Sequence, residues 1–431
     1  MGKHAELLAR HKQVLPSWMV LYYGEPIALV DGEGRRVIDA EGNEYLDFFA
    51  GILTTMTGYK VPEVVDAIKA QAEKMLHTST LYLIENQIEL AEKIAAVSGI
   101  PDAKVFFTNS GTEANDAALM LATQYRRSNQ VLAIRGSYHG KSHSTVAITG
   151  QRNWSSTSLY PFNVTYIHGG YRYRSPFGHL SDADFTAACV ADLENMIEVG
   201  TAGDIACMIA EPIQGVGGFV TPPDGFFGAM KEVLDRHGIL FISDEVQTGW
   251  GRTGEHFWGY QSHGITPDIF TFAKGLGNGM AMAGVVASAE LMDSLPANSI
   301  STFGGNPLST AAAIANLDYV LGHDLQTNAY KVGNHLRNRI EGLAERVEMI
   351  GEVRGKGLML GVELVKPGGK EPNAPAAAMV MEEAKKEGLL IGKGGMYGNV
   401  LRIAPALTLT EEEADEGYTK LETAVLRATE G

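Results

Sequence analysis

Between residues 103 and 288 the chain alternates short, almost wholly apolar runs with helical stretches, and this alternation limits the fold more than any other feature. The runs are AKVFFTNS, VLAIRG, IACMIAEP, GILFISDE, DIFTFAKG and MAGVVAS. A strand with one face in water alternates apolar and polar residues, whereas a strand covered on both faces does not. The runs therefore predict a mostly parallel α/β sheet between helices. VPEVVDAIKAQAEKM and NQIELAEKIAAVSG predict helices ahead of the sheet. STAAAIANLDYVLGHD and AYKVGNHLRNRIEGLAERV predict long helices after it.

The flanks have another texture. Residues 1–60 predict irregular chain with a small meander in PIALVDGEGRRVIDAEGNEYLDF, turning at Asp31-Gly32 and Glu41-Gly42. After Ile350, VRGKGLMLGVELV, a helix from about Ala376, LLIGKGG, VLRIAPAL and a last helix predict an α+β unit, with 365–375 as its exposed loop. The expected division is a large domain over 61–325 and a smaller one built from 1–60 and 326–431.

Composition removes several functions. There are 51 acidic and 35 basic side chains, a net charge of −16 that repels polyanions, so no nucleic-acid partner is expected. The only cysteines are Cys189 and Cys207, which form no CxxC pair and fit a reducing compartment. No run approaches the roughly 18 apolar residues of a membrane span. The start, MGKHAELLAR, lacks the apolar core of a secretion signal, and Glu6 stands where a myristoylation signal wants Ser or Thr. The expectation is a cytoplasmic protein with no membrane partner.

Three strand ends carry chemistry. In FFTNSGTEANDAALMLA, Ser110-Gly111-Thr112-Glu113 predicts a capping box opening a helix directly after a strand. Free N–H groups at Gly111 and Thr112 would also suit an anion. In GILFISDEVQTGWGRTG the apolar strand ends at Asp244, where open α/β sheets bind ligands. A structural ion pair with Arg252 is the plain alternative for Asp244, and Glu245 reads as structural. In DIFTFAKGLGNGM, Lys274 follows a strand and precedes a glycine-rich turn. A lysine there either forms a Schiff base, favoured by a lowered pKa, or snorkels to the surface. RGSYHGKSHST is not a phosphate-binding Walker loop, because only three residues separate Gly136 from Gly140. His139 and His143 lack an intervening carboxylate of the HExxH kind, and no metal is expected. Phosphate, cationic ring nitrogen and aldehyde together describe pyridoxal 5′-phosphate, with Tyr138 as an aromatic face for its ring.

These motifs resemble the class III (ω-amino acid type) aminotransferases of the fold type I pyridoxal-phosphate enzymes. NSGTEAN, YHG, AEPIQG, DEVQTGWGRTG, AKGLGNG, TFGGNP and LRIAP appear in family order over nearly the whole chain. AEPIQGV, HFWG, ITPDI and STFGGNP look most like the alanine–glyoxylate and β-aminoisobutyrate–pyruvate group. The resemblance implies an α/β fold with a mostly parallel seven-stranded sheet in the large domain and a smaller α+β domain built from both termini. It implies that Lys274 is the Schiff-base lysine and proton carrier, and that Asp244 pairs with the ring nitrogen. Val246 and Tyr138 would cover the two ring faces, with His139 beside Tyr138. Gln247 would reach the ring hydroxyl, and Ser110, Gly111 and Thr112 would hold the phosphate. Thr302 would come from a neighbouring subunit, which implies a homodimer or homotetramer. Arg402 would bind the substrate carboxylate, an internal ion pair being its plain alternative.

Two departures matter. Val216 stands where 4-aminobutyrate and ornithine enzymes carry a glutamate that covers the carboxylate-binding arginine. Ile52 stands where ornithine-type members carry a tyrosine. Both favour ping-pong transamination from a small amino acid, such as alanine or β-aminoisobutyrate, to pyruvate or glyoxylate. A 2,2-dialkylglycine decarboxylase, a 4-aminobutyrate-type transaminase and a non-catalytic cofactor-binding protein are the alternatives. In GYKVP, Tyr59 and Val61 replace the histidines of the usual GHxHP.

Overall fold

The computed structural model describes residues 2–430. Its main sheet has seven strands. They lie in the order Ala103–Thr108, Ala283–Ser288, Ile269–Phe272, Leu240–Asp244, Cys207–Ala210, Gln130–Ile134, Asn163–Ile167. Ala283–Ser288 is antiparallel to both neighbours, and the remaining pairings are parallel.

Both faces of this sheet are covered, which is why its strands read as continuous apolar runs. Val131, Ala133, Ile209 and Ile242 pack with helix Gly111–Arg126 on one side. Leu132, Ile134, Met208 and Phe241 pack with helices Asp182–Val199 and Phe226–Arg236 on the other. Six strands coincide with the six apolar runs. The seventh, Asn163–Ile167, is an edge strand of sequence NVTYI with one fully buried residue, so its polarity pattern is mixed.

The chain ends build two further sheets. Leu29–Glu33, Arg36–Asp39 and Glu44–Asp47 form the expected meander, and Leu389–Leu390 joins it in parallel beside Leu46 and Asp47. Ile350–Lys356, Met359–Leu364, Val400–Ile403 and Gly392–Gly394 form an antiparallel sheet. Helices Leu325–Ala344, Ala374–Lys386 and Glu411–Glu430 pack against it through a core that also reaches Phe272 and Leu276 of the main sheet region. The expectation that residues ahead of the meander are irregular is corrected: Lys3–Val14 is a helix. It buries no residue, so it imposes no apolar stripe on its sequence. No helix among the described residues is long and apolar enough to cross a membrane.

Candidate active site

Parallel strands present their carboxyl ends on one edge of the sheet, and a cavity of about 400 Å³ opens there. Ser110, Gly111 and Thr112 line it from the start of helix Gly111–Arg126. The Ser110 hydroxyl accepts the Glu113 N–H at 3.3 Å, as a cap should. The capping box is only half formed, however. The Glu113 carboxylate takes the N–H of Asn109 at 2.9 Å, one residue ahead of the cap. The helix start is closely built: a Cβ at Gly111 would stand 3.1 Å from Val246.

Asp244 ends its strand on the cavity, 3 % exposed. Its carboxylate receives His139 Nδ1 at 2.7 Å, Asn115 Nδ2 at 2.8 Å and the Val246 N–H at 3.1 Å. Asn115 is itself oriented by the Thr271 hydroxyl at 2.7 Å and by the His139 carbonyl at 2.8 Å. The ion pair with Arg252 does not form. Arg252 is buried elsewhere, donating to the carbonyls of Leu358, at 3.1 Å, and Pro405. Glu245 is structural as expected, accepting the N–H groups of Gly259 and Tyr260, each at 2.8 Å.

Lys274 follows strand Ile269–Phe272 with φ +47, a left-handed conformation that costs a non-glycine residue roughly 1–2 kcal/mol. It reaches the same cavity. Burial pushes its amine down to about 8, the Arg402 charge acts in the same direction, and Asp244 and Glu211 oppose. The snorkelling alternative fails, since this half-buried lysine lines the cavity at the strand ends.

Tyr138, Val246 and Gln247 complete the wall. Tyr138 stands edge-on to Trp154, with ring centroids 5.3 Å apart. Two buried polar atoms that line the cavity, His139 Nε2 and Gln247 Oε1, have no partner among the described residues. A helix start free for a phosphate, orphaned polar atoms beside an anchored carboxylate and a lysine of lowered pKa fit pyridoxal 5′-phosphate.

Glu211 belongs to this wall and was missed from the sequence. Its carboxylate accepts the N–H groups of Tyr138, at 2.9 Å, and Gly215, at 2.8 Å. Burial pushes it up to about 7. Its signal was present, because it ends the run IACMIAEP as Asp244 ends GILFISDE.

Two candidates lie outside the cavity's lining. Thr302 is exposed, next to Phe303, which stacks on His77. Arg402 is 4 % exposed in strand Val400–Ile403. It donates to the carbonyls of Lys393, at 3.2 Å, and Gly215, at 3.3 Å, and lies 3.5 Å from the Tyr22 hydroxyl. Phe49 and Phe219 supply aromatic faces at 4.8 and 5.5 Å. Among the described residues no carboxylate comes within ion-pair distance of it, so its internal ion pair is absent too.

The GYKVP departure also has a structural role. The Tyr59 hydroxyl donates to buried Asp47 at 2.7 Å, and Asp47 accepts the N–H groups of Phe49 and Ala50 at 2.8 and 2.9 Å. That carboxylate starts a turn in which Ala50, Gly51, Ile52 and Leu53 all have positive φ. Val61 caps helix Pro62–Lys74 and packs on Val64 and Ala312.

The chain is similar to known proteins. The profile of the family described as Aminotransferase class-III matches residues 22–425. Alanine--glyoxylate aminotransferase 2 homolog 2, mitochondrial, of Arabidopsis thaliana is 42% identical over 95% of this chain and 85% of that protein. The human alanine--glyoxylate aminotransferase 2, mitochondrial, is 35% identical over 95% of this chain and 84% of its own length. A thermostable (S)-enantioselective ω-transaminase from Thermomicrobium roseum has the same fold, with a TM-score of 0.91 and 33% identity over 99% of both chains. Relatives named acetylornithine aminotransferase and leucine/methionine racemase are each 38% identical, so the matches span more than one reaction. The expected cytoplasmic location is overturned, since the plant and human relatives are both named mitochondrial. It rested on the lack of an apolar leader, and mitochondrial transit peptides are amphipathic and need none. With this family match over most of its length and the fold of a solved transaminase, the chain belongs to the class III aminotransferases, fold type I enzymes whose cofactor is pyridoxal 5′-phosphate.

Proposed function

We propose that this enzyme transfers the amino group of a small amino acid, such as alanine or β-aminoisobutyrate, to pyruvate or glyoxylate. One observation carries the reading: Arg402 is a buried guanidinium with carbonyl and aromatic neighbours but no carboxylate partner among the described residues. A buried cation in that state is stabilised by an incoming anion, and a bidentate carboxylate matches its fork. Val216, in place of the covering glutamate, leaves Arg402 available throughout turnover. A second substrate carboxylate would need a further cation, and burying it unpaired would cost several kcal/mol. The plant and human relatives' names support the same donor and acceptor class.

The bound cofactor supplies the electron sink. Asp244, steadied by His139 and Asn115, keeps the ring nitrogen protonated. Lys274 Nζ, whose pKa burial lowers to about 8, would move the proton between the amine-bearing carbon of the substrate and the cofactor side. Ser110, Gly111 and Thr112 would hold the phosphate, Tyr138 and Val246 would cover the ring, and Gln247 would meet its hydroxyl. Thr302, exposed in its own chain, completes the phosphate site of a neighbouring copy, so the working unit is a homodimer or homotetramer. The large domain spans 61–325, and residues 1–60 and 326–431 form the smaller one.

The test is a donor panel with pyruvate and glyoxylate as acceptors. Alanine should exceed glutamate in kcat/KM; parity or the reverse would move the enzyme to the 4-aminobutyrate group. Because a Thermococcus litoralis relative is named a racemase, L-alanine incubated without acceptor should stay L-alanine. Accumulation of D-alanine would overturn the transaminase assignment.

A further inference from the structure

Arg402 has a counterpart. Arg354 pairs with Gly361 in one ladder of the C-terminal sheet, and Gly361 pairs with Arg402 in the next. Directly opposed residues point to the same face, so both arginines rise from one face with a bare glycine between them. The turn Gly215–Gly218 lies on that face. Gly218 N–H closes it onto the Gly215 carbonyl at 3.1 Å. Arg402 Nη1 holds the Gly215 carbonyl at 3.3 Å, and Arg354 Nε holds the Gly218 carbonyl at 2.9 Å. Contact at Gly361 is close: a Cβ there would stand 2.6 Å from the Gly218 oxygen.

The two guanidiniums differ in counter-charge. Arg354 is paired with Glu363 at 2.6 Å and with Glu352. Glu363 is fully buried and also receives Arg174 Nε at 2.5 Å and the Tyr171 hydroxyl. Arg354 is therefore charge-compensated and held at Nε and Nη1, while its buried Nη2 has no hydrogen-bond partner among the described residues. Its planar fork lets Nη1 face the glutamates while Nε faces the carbonyl, which a lysine cannot do at once.

We infer that Arg354 is a positioning residue for carboxylate recognition: anchored by Glu363, it fixes the Gly215–Gly218 turn and thereby the guanidinium of Arg402. This rests on the proposal that Arg402 anchors the substrate carboxylate. The experiment separates the two. In the holoenzyme, binding of propionate, an unreactive carboxylate, is measured through the cofactor's absorbance, beside the KM and kcat for alanine and the affinity for pyridoxal 5′-phosphate. Arg354→Lys is expected to weaken propionate and raise the alanine KM about tenfold, the size of one impaired charge-assisted contact, with kcat within about twofold and cofactor affinity unchanged. Added to Arg402→Ala, it should cause no further loss. If Arg354→Lys does not fold, Gly361→Ala keeps both arginines and the glutamates of Arg354 while pushing the Gly218 carbonyl, and the same tenfold loss is expected. Wild-type propionate affinity in the folded variant, or equal losses in propionate, kcat and cofactor affinity, would overturn the inference. Wild-type propionate affinity in Arg402→Ala would instead remove the anchor proposal, and this inference with it.

Discussion

Asp244 and Arg402 are opposite buried charges whose fields both reach Lys274, and they are compensated in opposite ways. Asp244 is met by an imidazole, an amide and a backbone N–H, all drawn from strand ends and the helix after the first strand of the main sheet. Arg402 is met by the carbonyls of Gly215 and Lys393, the hydroxyl of Tyr22 and the aromatic faces of Phe49 and Phe219, and by no anion among the described residues. One wall arrives with its charge settled and suits a resident cofactor. A second wall, outside the lining of the strand-end cavity, leaves the Arg402 cation unpaired and suits an anion that comes and goes.

The largest expected effect tests the settled wall. Lys274→Ala removes nucleophile and base together and should lower kcat by roughly 10⁴-fold or more while cofactor still binds through its phosphate. Borohydride reduction and peptide mapping of the native enzyme should place the pyridoxyl label on Lys274. A label on another lysine would break the comparison at its root. Asp244→Asn comes next. The amide cannot keep a ring nitrogen protonated, and the loss should be about 3–4 kcal/mol, measured as kcat at unchanged Tm. Near-normal turnover would make Asp244 as structural as Glu245.

Lys274 also predicts a pH dependence. Only the neutral amine attacks an aldehyde, and an amine pushed from 10.5 down to about 8 is neutral roughly two orders of magnitude more often near pH 7.5. The rate at which apoenzyme is reconstituted with pyridoxal 5′-phosphate should therefore climb with pH through about 8 and level off above it. A climb centred near 10.5 would mean that the amine stays hydrated.

The same contrast decides what could be read in the sequence. Lys274 and Asp244 follow almost wholly apolar runs, so their cost as charges is visible in a few adjacent residues. Glu211 carries that signature too and was passed over because its solvation is by backbone N–H groups, which have no sequence mark. Arg402 was legible only through family resemblance, since its neighbours come from as far away as Tyr22, 380 positions distant. The edge strand Asn163–Ile167 and the helix Lys3–Val14 escaped because exposed elements need no strict apolar period. The Asp244–Arg252 pair failed for a related reason: Asp244 is met by His139, Asn115 and its own loop's N–H, while Arg252, eight residues on, donates to the carbonyls of Leu358 and Pro405 from the far end of the sequence.

Arg402→Lys probes the open wall. It keeps the charge and loses the fork, and carboxylate donors should weaken about 10- to 100-fold in KM. An unchanged KM would show that Arg402 is not the anchor.

Val216→Glu should give the smallest effect, and it asks whether the open wall can be closed. Val216 is buried, and its carbonyl accepts the Gly395 N–H at 2.9 Å. A Cβ added at Gly394 would stand 3.0 Å from both the Val216 oxygen and Arg402 Nε, so the two positions share one neighbourhood. A glutamate at 216 would be a buried carboxylate in need of a cation, and Arg402 is a buried cation in need of a carboxylate. Their pairing competes with the substrate's own carboxylate. Alanine kcat/KM should fall about three- to tenfold, roughly 1 kcal/mol, while amines without an α-carboxylate keep theirs. Val216→Gln, equal in size and neutral, should leave alanine close to wild type. If Gln and Glu depress alanine equally, bulk rather than charge is responsible. The absence of a glutamate at 216 would then no longer explain why Arg402 stands open.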